Sequence, residues 1–127
     1  MEKFLSGKGP RAQELFDSFA RLIATCGPYD VAPAKTRVAF MASVRFASVN
    51  RVSAIGIDAH FILHRPLASP RFRRVERLGK LYVHHLRFTD PSQMDDEVRR
   101  WLCQSYSEYG EHRWLDRSAG ANPRERN

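Results

Sequence analysis

Ile55-Gly56-Ile57-Asp58-Ala59-His60-Phe61-Ile62-Leu63-His64 decides the fold. Ile55, Ile57, Ala59, Phe61 and Leu63 occupy every second position, with Asp58, His60, Ile62 and His64 opposite. Successive strand side chains point to opposite faces, so this two-residue period reads as a strand with one buried side. The same period runs upstream. Val38 and Phe40 alternate with Arg37, Ala39 and Met41, and Val44, Phe46 and Ser48 alternate with Arg45, Ala47 and Val49. Asn50-Arg51 is the expected turn before the third strand, and Ala42-Ser43 a weaker one before the second. The reading is a three-stranded antiparallel meander.

Downstream, Pro66 and Pro70 exclude a central strand, because proline has no N–H for the ladder. Phe72, Val75 and Leu78 recur every three residues, which predicts one or two helical turns over residues 71–78. Strand character returns over residues 81–89.

Two amphipathic helices flank this core. Leu15, Phe16, Phe19, Leu22, Ile23 and Cys26 recur at three- and four-residue spacing over residues 11–26. Pro10 precedes that run and Gly27-Pro28 follows it. Over residues 91–109, Met94, Val98, Trp101, Leu102, Ser105 and Tyr109 form a second stripe. Asp90 is a suitable N-cap, Pro91 takes the first helical position, and Gly110 reads as a left-handed terminator. The sum is α-β-β-β-(α)-β-α. It predicts a two-layer α+β sandwich with an antiparallel sheet of about four strands and both main helices on one face. Residues 1–110 are expected to form one domain. Residues 111–127 read as a polar, disordered tail, with Trp114 a candidate anchor.

The 127 residues suffice for one core. No window approaches the ~20 apolar residues of a membrane span, so no membrane partner is expected. The N-terminus lacks a secretory signal pattern. Cys26 and Cys103 are far from any Cys-x-x-Cys spacing and read as reduced core thiols of a cytoplasmic protein. Gly7-Lys8-Gly9 lacks the spacing of a phosphate loop.

The net charge is +7, and its location is more informative than its size. Between Val31 and Arg87, eleven basic residues face only Asp58 and Glu76, a net of +9, which leaves −2 for the rest of the chain. Most are arginine, whose planar fork suits phosphate or carboxylate oxygens. The candidate ligand residues are Lys35, Arg37, Arg45, His64, Arg71, Arg73, Arg74, His84, His85 and Arg87. Arginine also makes routine surface ion pairs, so a dispersed solubilising surface is the competing reading. His60 and His64, on one strand, would stand about 13 Å apart, too far to share a metal. His84 and His85 are adjacent and point to opposite faces. No metal and no cofactor is expected. Asp58 is the only carboxylate on a strand pattern, and no second one is near it in sequence for paired acid–base work. Phe40, Phe46 and Phe61 face inward by parity while Arg37, Arg45, His60 and His64 face outward. An exposed aromatic row for stacking nucleic-acid bases is therefore absent, and backbone-phosphate contact is left.

The run from Pro33 to Phe40, Arg45-Phe46-Ala47, His64-Arg65-Pro66-Leu67, Pro70-Arg71-Phe72 and Val83-His84-His85-Leu86-Arg87-Phe88 resembles a bacterial family known as domain of unknown function 5655. Asp95-Asp96-Glu97-Val98, Trp101-Leu102 and Tyr106 fit the same pattern. The resemblance covers roughly residues 4–110. It implies a compact α+β module, alone or appended to other domains, with no established catalytic residues. A cysteine-bearing segment that precedes the module in some relatives is missing here. Three functions remain open. The first is a binding module for an anionic ligand, either a phosphate-containing small molecule or nucleic-acid backbone. The second is a small enzyme in which Lys35, Arg45, Asp58 and the histidines converge. The third is a structural module, monomeric or homodimeric.

Overall fold

In the computed structural model, which describes residue 5 and residues 7–111, the sheet has six strands, not about four. Helix α1 (Pro10–Ala24) is followed by β1 (Asp30–Pro33), β2 (Val38–Met41), β3 (Arg45–Val52), β4 (Ile57–Leu63), β5 (Arg74–Leu78) and β6 (Leu81–Phe88). A short 3-10 turn (Pro91–Gln93), helix α2 (Asp96–Ser105) and a π-helical turn (Tyr106–Gly110) complete it. The order across the sheet is β1-β2-β3-β4-β6-β5, antiparallel throughout. The α+β class holds. The expected tail lies almost entirely outside the described residues, as does Trp114. No helix among the described residues is long and apolar enough to cross a membrane.

The two unforeseen strands are the edges. β1 is four residues long, mostly exposed, and ends at Pro33, features that blunt an edge and hide it from a periodicity search. β5 replaces the expected helical turns. Its three-residue apolar spacing does not mark a buried stripe, since Val75 and Leu78 are both exposed. The segment is held instead as a hairpin with β6, turned through Gly79 at φ 64°, a left-handed backbone that favours glycine.

β3 carries two irregularities that set which side chains face where. Phe40 pairs with Ala47 and Met41 with Arg45, so Phe46 is an extra residue. Val49 pairs with Ala59 and Arg51 with Asp58, so Asn50 is another. The first bulge puts Phe46 and Ala47 together on the buried side. The second puts Asn50 and Arg51 together on the open side. Asn50-Arg51 is therefore not the turn. The chain reverses through Ser53–Gly56, where Ser53 N–H donates to the Gly56 carbonyl at 2.9 Å.

Val38, Phe40, Val49, Ala59, Phe61, Leu86 and Phe88 form the buried sheet face. Leu15, Phe16, Phe19 and Ile23 of α1 and Val98 and Leu102 of α2 cover it. Phe19, Phe40, Phe46, Phe61 and Phe88 are all sealed from solvent, each stabilising the fold by roughly 1.5–3 kcal/mol.

The second helical stripe is broken into pieces. Asp90 caps the 3-10 turn with a full capping box, and Asp95 separately caps α2 through the Val98 N–H. Gly110 is not a left-handed terminator. Its missing side chain admits Phe46, whose ring would lie 2.9 Å from an added Cβ, and its carbonyl accepts from the N–H groups of Ser43 and Val44. Cys26 and Cys103 are not reduced thiols either: a disulfide joins the end of α1 to α2 across 77 residues of sequence.

Candidate functional site

With both helices on one face, the other face of the sheet stays open. Following the register from edge to edge, one row of open-face residues reads Ala32, Ala39, Ser48, His60, His85, Arg74. Two hollows lie along it. One, of about 560 Å³, is lined by residues including Asn50, Arg51, Asp58, Arg73, Arg74, His85 and Arg87. The other, of about 400 Å³, has Ala32, Ala34, Ala39, Ser48, His60 and Ile62 with Arg37 and Arg45.

Two imidazole rings and one amide stand between the hollows. Asn50 Nδ2 lies 2.7 Å from His60 Nδ1. An amide nitrogen only donates, so Nδ1 accepts, and the neutral ring carries its proton on Nε2. Burial, followed by the neighbouring His85 and Arg37, pushes the His60 pKa down to about 4, so the ring stays neutral at physiological pH. His60 and His85 meet edge to face with centroids 5.6 Å apart. His85 Nε2 in turn lies 3.1 Å from Glu76 Oε1. The Asn50 Oδ1 atom is buried and accepts no hydrogen bond.

The charges follow a similar logic. Arg87 grips Asp58 with two hydrogen bonds, at 2.7 and 3.2 Å, which hold that carboxyl below the usual carboxylate range. Arg74 approaches Glu76 at 3.8 Å. Among the described residues, no carboxylate comes within 4.0 Å of Arg37, Arg45, Arg51 or Arg73. Arg51, Arg73, Arg74 and Arg87 thus line the larger hollow together with Asp58, and Arg37 and Arg45 line the smaller. Also among the described residues, no three His, Cys, Asp or Glu side chains gather as a metal site.

Of the ten candidates from sequence, Arg73, Arg74, His85 and Arg87 line the larger hollow and Arg37 and Arg45 the smaller. The other four do not. Lys35 lies in the β1–β2 connection and lines neither hollow. His64 follows the end of β4 and packs on Tyr109, 5.5 Å between centroids. His84 faces the helices, fully buried and stacked on Phe61 at 4.7 Å, with Nε2 accepting from the Leu67 N–H at 3.0 Å. Burial lowers its pKa. Arg71 is a clamp on the α2 N-terminus. It reaches Asp95 at 3.0 and 3.1 Å, Glu97 at 3.0 Å and the Gln93 carbonyl at 2.6 Å, and it lies 5.7 Å from the Trp101 ring.

Asn50, Arg51 and His60 join the site without having been candidates. The signal for His60 was its outward parity. Nothing in the spacing announced the bulge that brings Asn50 beside it.

A family model described as "Domain of unknown function (DUF5655)" matches residues 1–108. No curated protein and no solved structure matches the chain.

Proposed function

The chain belongs to the DUF5655 family, whose description assigns no activity, and we propose from the side chains alone that it is a binding module for an anionic, phosphate-bearing ligand. The ligand lies on the open face of the sheet. One observation carries this reading: Arg51 and Arg73 line one hollow of the open face and Arg37 and Arg45 the other, and among the described residues none of the four has a carboxylate within 4.0 Å, although Asp58 shares the hollow of Arg51 and Arg73. A solubilising surface would spread its cations, and routine ion pairing would neutralise them. Arg71 illustrates the contrast, because its guanidinium is consumed by Asp95 and Glu97.

A small-enzyme reading has one observation in its favour, the Glu76–His85 contact at the edge of the larger hollow. A carboxylate that orients an imidazole is a recurring general-base arrangement. The Lys35 once expected there is elsewhere, and Asp58 is already engaged by Arg87.

Fluorescence anisotropy with a labelled short single-stranded oligonucleotide and a labelled adenosine triphosphate, at low and at physiological salt, tests the binding reading. Binding that weakens as salt rises is expected. The Arg37→Glu/Arg73→Glu double variant should lose at least about tenfold in affinity, while Arg21→Glu on α1 leaves it unchanged. Absence of binding to both probes at low salt overturns the proposal.

A further inference from the structure

Resting on that anion-binding reading, we infer that the alanine-floored hollow holds a planar heteroaromatic base and that the ligand class is a nucleoside phosphate. The base lies over Ala32, Ala39 and Ser48, and the phosphates point toward Arg51, Arg73, Arg74 and Arg87.

The argument begins with what strand stability would have chosen. Alanine is a poor strand former, and a solvated sheet face ordinarily carries β-branched or long polar side chains. Yet three successive strands place Ala32, Ala39 and Ser48 in one row of the open face, with Ala34 beside them. Ala39 and Ser48 are themselves nearly sealed, at 5% and 2% exposure, and with Ala32 and Ala34 they floor the hollow of about 400 Å³. A bare phosphate or sulfate has no use for that space, whereas an amphiphilic anion does.

The row then changes character in an ordered way. Small residues occupy β1 to β3, imidazoles occupy β4 and β6, and Arg74 stands on β5. From Ala39 on β2 to Arg87 on β6 is three strand spacings, roughly 14 Å, about the reach of a nucleoside with its phosphates. At the halfway point stand Asn50, whose buried Oδ1 has no hydrogen-bond partner among the described residues, and the His60 ring that Asn50 Nδ2 meets at Nδ1. Such a pair suits the polar edge of a base or the hydroxyls of a sugar. Arg37 and Arg45 flank the floor, and a guanidinium plane stacks on a base where no aromatic ring is available.

Calorimetric titration separates this inference from the reading beneath it. The probes are adenosine triphosphate, a single-stranded hexanucleotide and inorganic tripolyphosphate, the last being the polyphosphate without a nucleoside. At least one nucleotide probe should bind about tenfold or more tightly than tripolyphosphate, the scale of one stacked base. Ala39→Leu, which fills the floor, should erase that gain and leave tripolyphosphate affinity within about twofold. Ala32→Leu repeats the test should the first variant fail to fold. Whichever nucleotide probe shows the leucine-sensitive gain names the source of the nucleoside phosphate. If tripolyphosphate binds as well as both nucleotide probes, the inference is overturned and anion binding stands. If nothing binds, both are overturned.

Discussion

Removing the Cys26–Cys103 bond should cost this fold a large share of its stability while leaving the open face intact. The bond closes a loop of 77 residues, so in the chain-entropy treatment it destabilises the unfolded ensemble by about 4.5 kcal/mol. Domains of this size are stable by only about 5–15 kcal/mol. The double variant Cys26→Ser/Cys103→Ser should therefore melt about 15–20 °C below the unreduced protein. Circular dichroism melts of both proteins read this directly, and alkylation before and after reduction counts the thiols. Unreduced protein should show no alkylation at Cys26 or Cys103 until a reductant is added. The oligonucleotide affinity of the variant at a temperature where it is folded should match the parent, because the bond lies in the helix layer. A variant melting within about 3 °C of the parent, or two thiols free without reductant, would refute the reasoning.

Three other predictions concern single side chains. Arg71→Met should destabilise the protein by about 1–2 kcal/mol, a discounted figure because Asp95 and Glu97 are about half exposed. A urea titration measures the loss, and unchanged probe affinity confirms that Arg71 is a clamp and not a ligand residue. Ser105→Ala should cost about 2 kcal/mol, since the buried hydroxyl accepts from the Ile62 N–H and shares its one proton between the Phe46 and Ile62 carbonyls; a midpoint equal to that of the parent would contradict it. For His60, the folded chain resists the proton down to pH about 4 while the unfolded chain takes it near 6.5. Stability should thus be fully present above pH 6.5 and fall by about 3 kcal/mol as pH drops toward 4. Denaturant titrations across that range should show a shallower fall in His60→Gln, and parallel slopes in both proteins would refute the assignment.

Legibility in the sequence followed how local the signal was. Phe16, Phe19 and Ile23 announce α1 because a helix writes its buried face at short spacing, and Ile57 to Leu63 announces β4 by alternation. The edges failed for opposite reasons. Asp30–Pro33 is too short to show a period, and Phe72, Val75 and Leu78 imitate a helix although Val75 and Leu78 belong to a strand fixed by a partner several residues later. Arg37, Arg45 and Arg87 were found because charge type is visible in composition. His84 and Arg71 were misplaced because a residue's partners are not: stacking on Phe61 and pairing with Asp95 depend on contacts 23 or more residues away. Asn50 looked like a turn residue, and the bulge that retains it inside β3 depends on β4.

Those two bulges also guard the accuracy of strand pairing. A hairpin with uninterrupted alternation can slip along its partner and recover many of its hydrogen bonds. In β3, a slipped alignment would drive Asn50 or Arg51 into the phenylalanine layer, or expel Phe46 from it, each at several times thermal energy. Misthreaded versions of β2–β3–β4 are thereby penalised. The residues that shape the open face thus double as a proofreading device for the sheet that carries it.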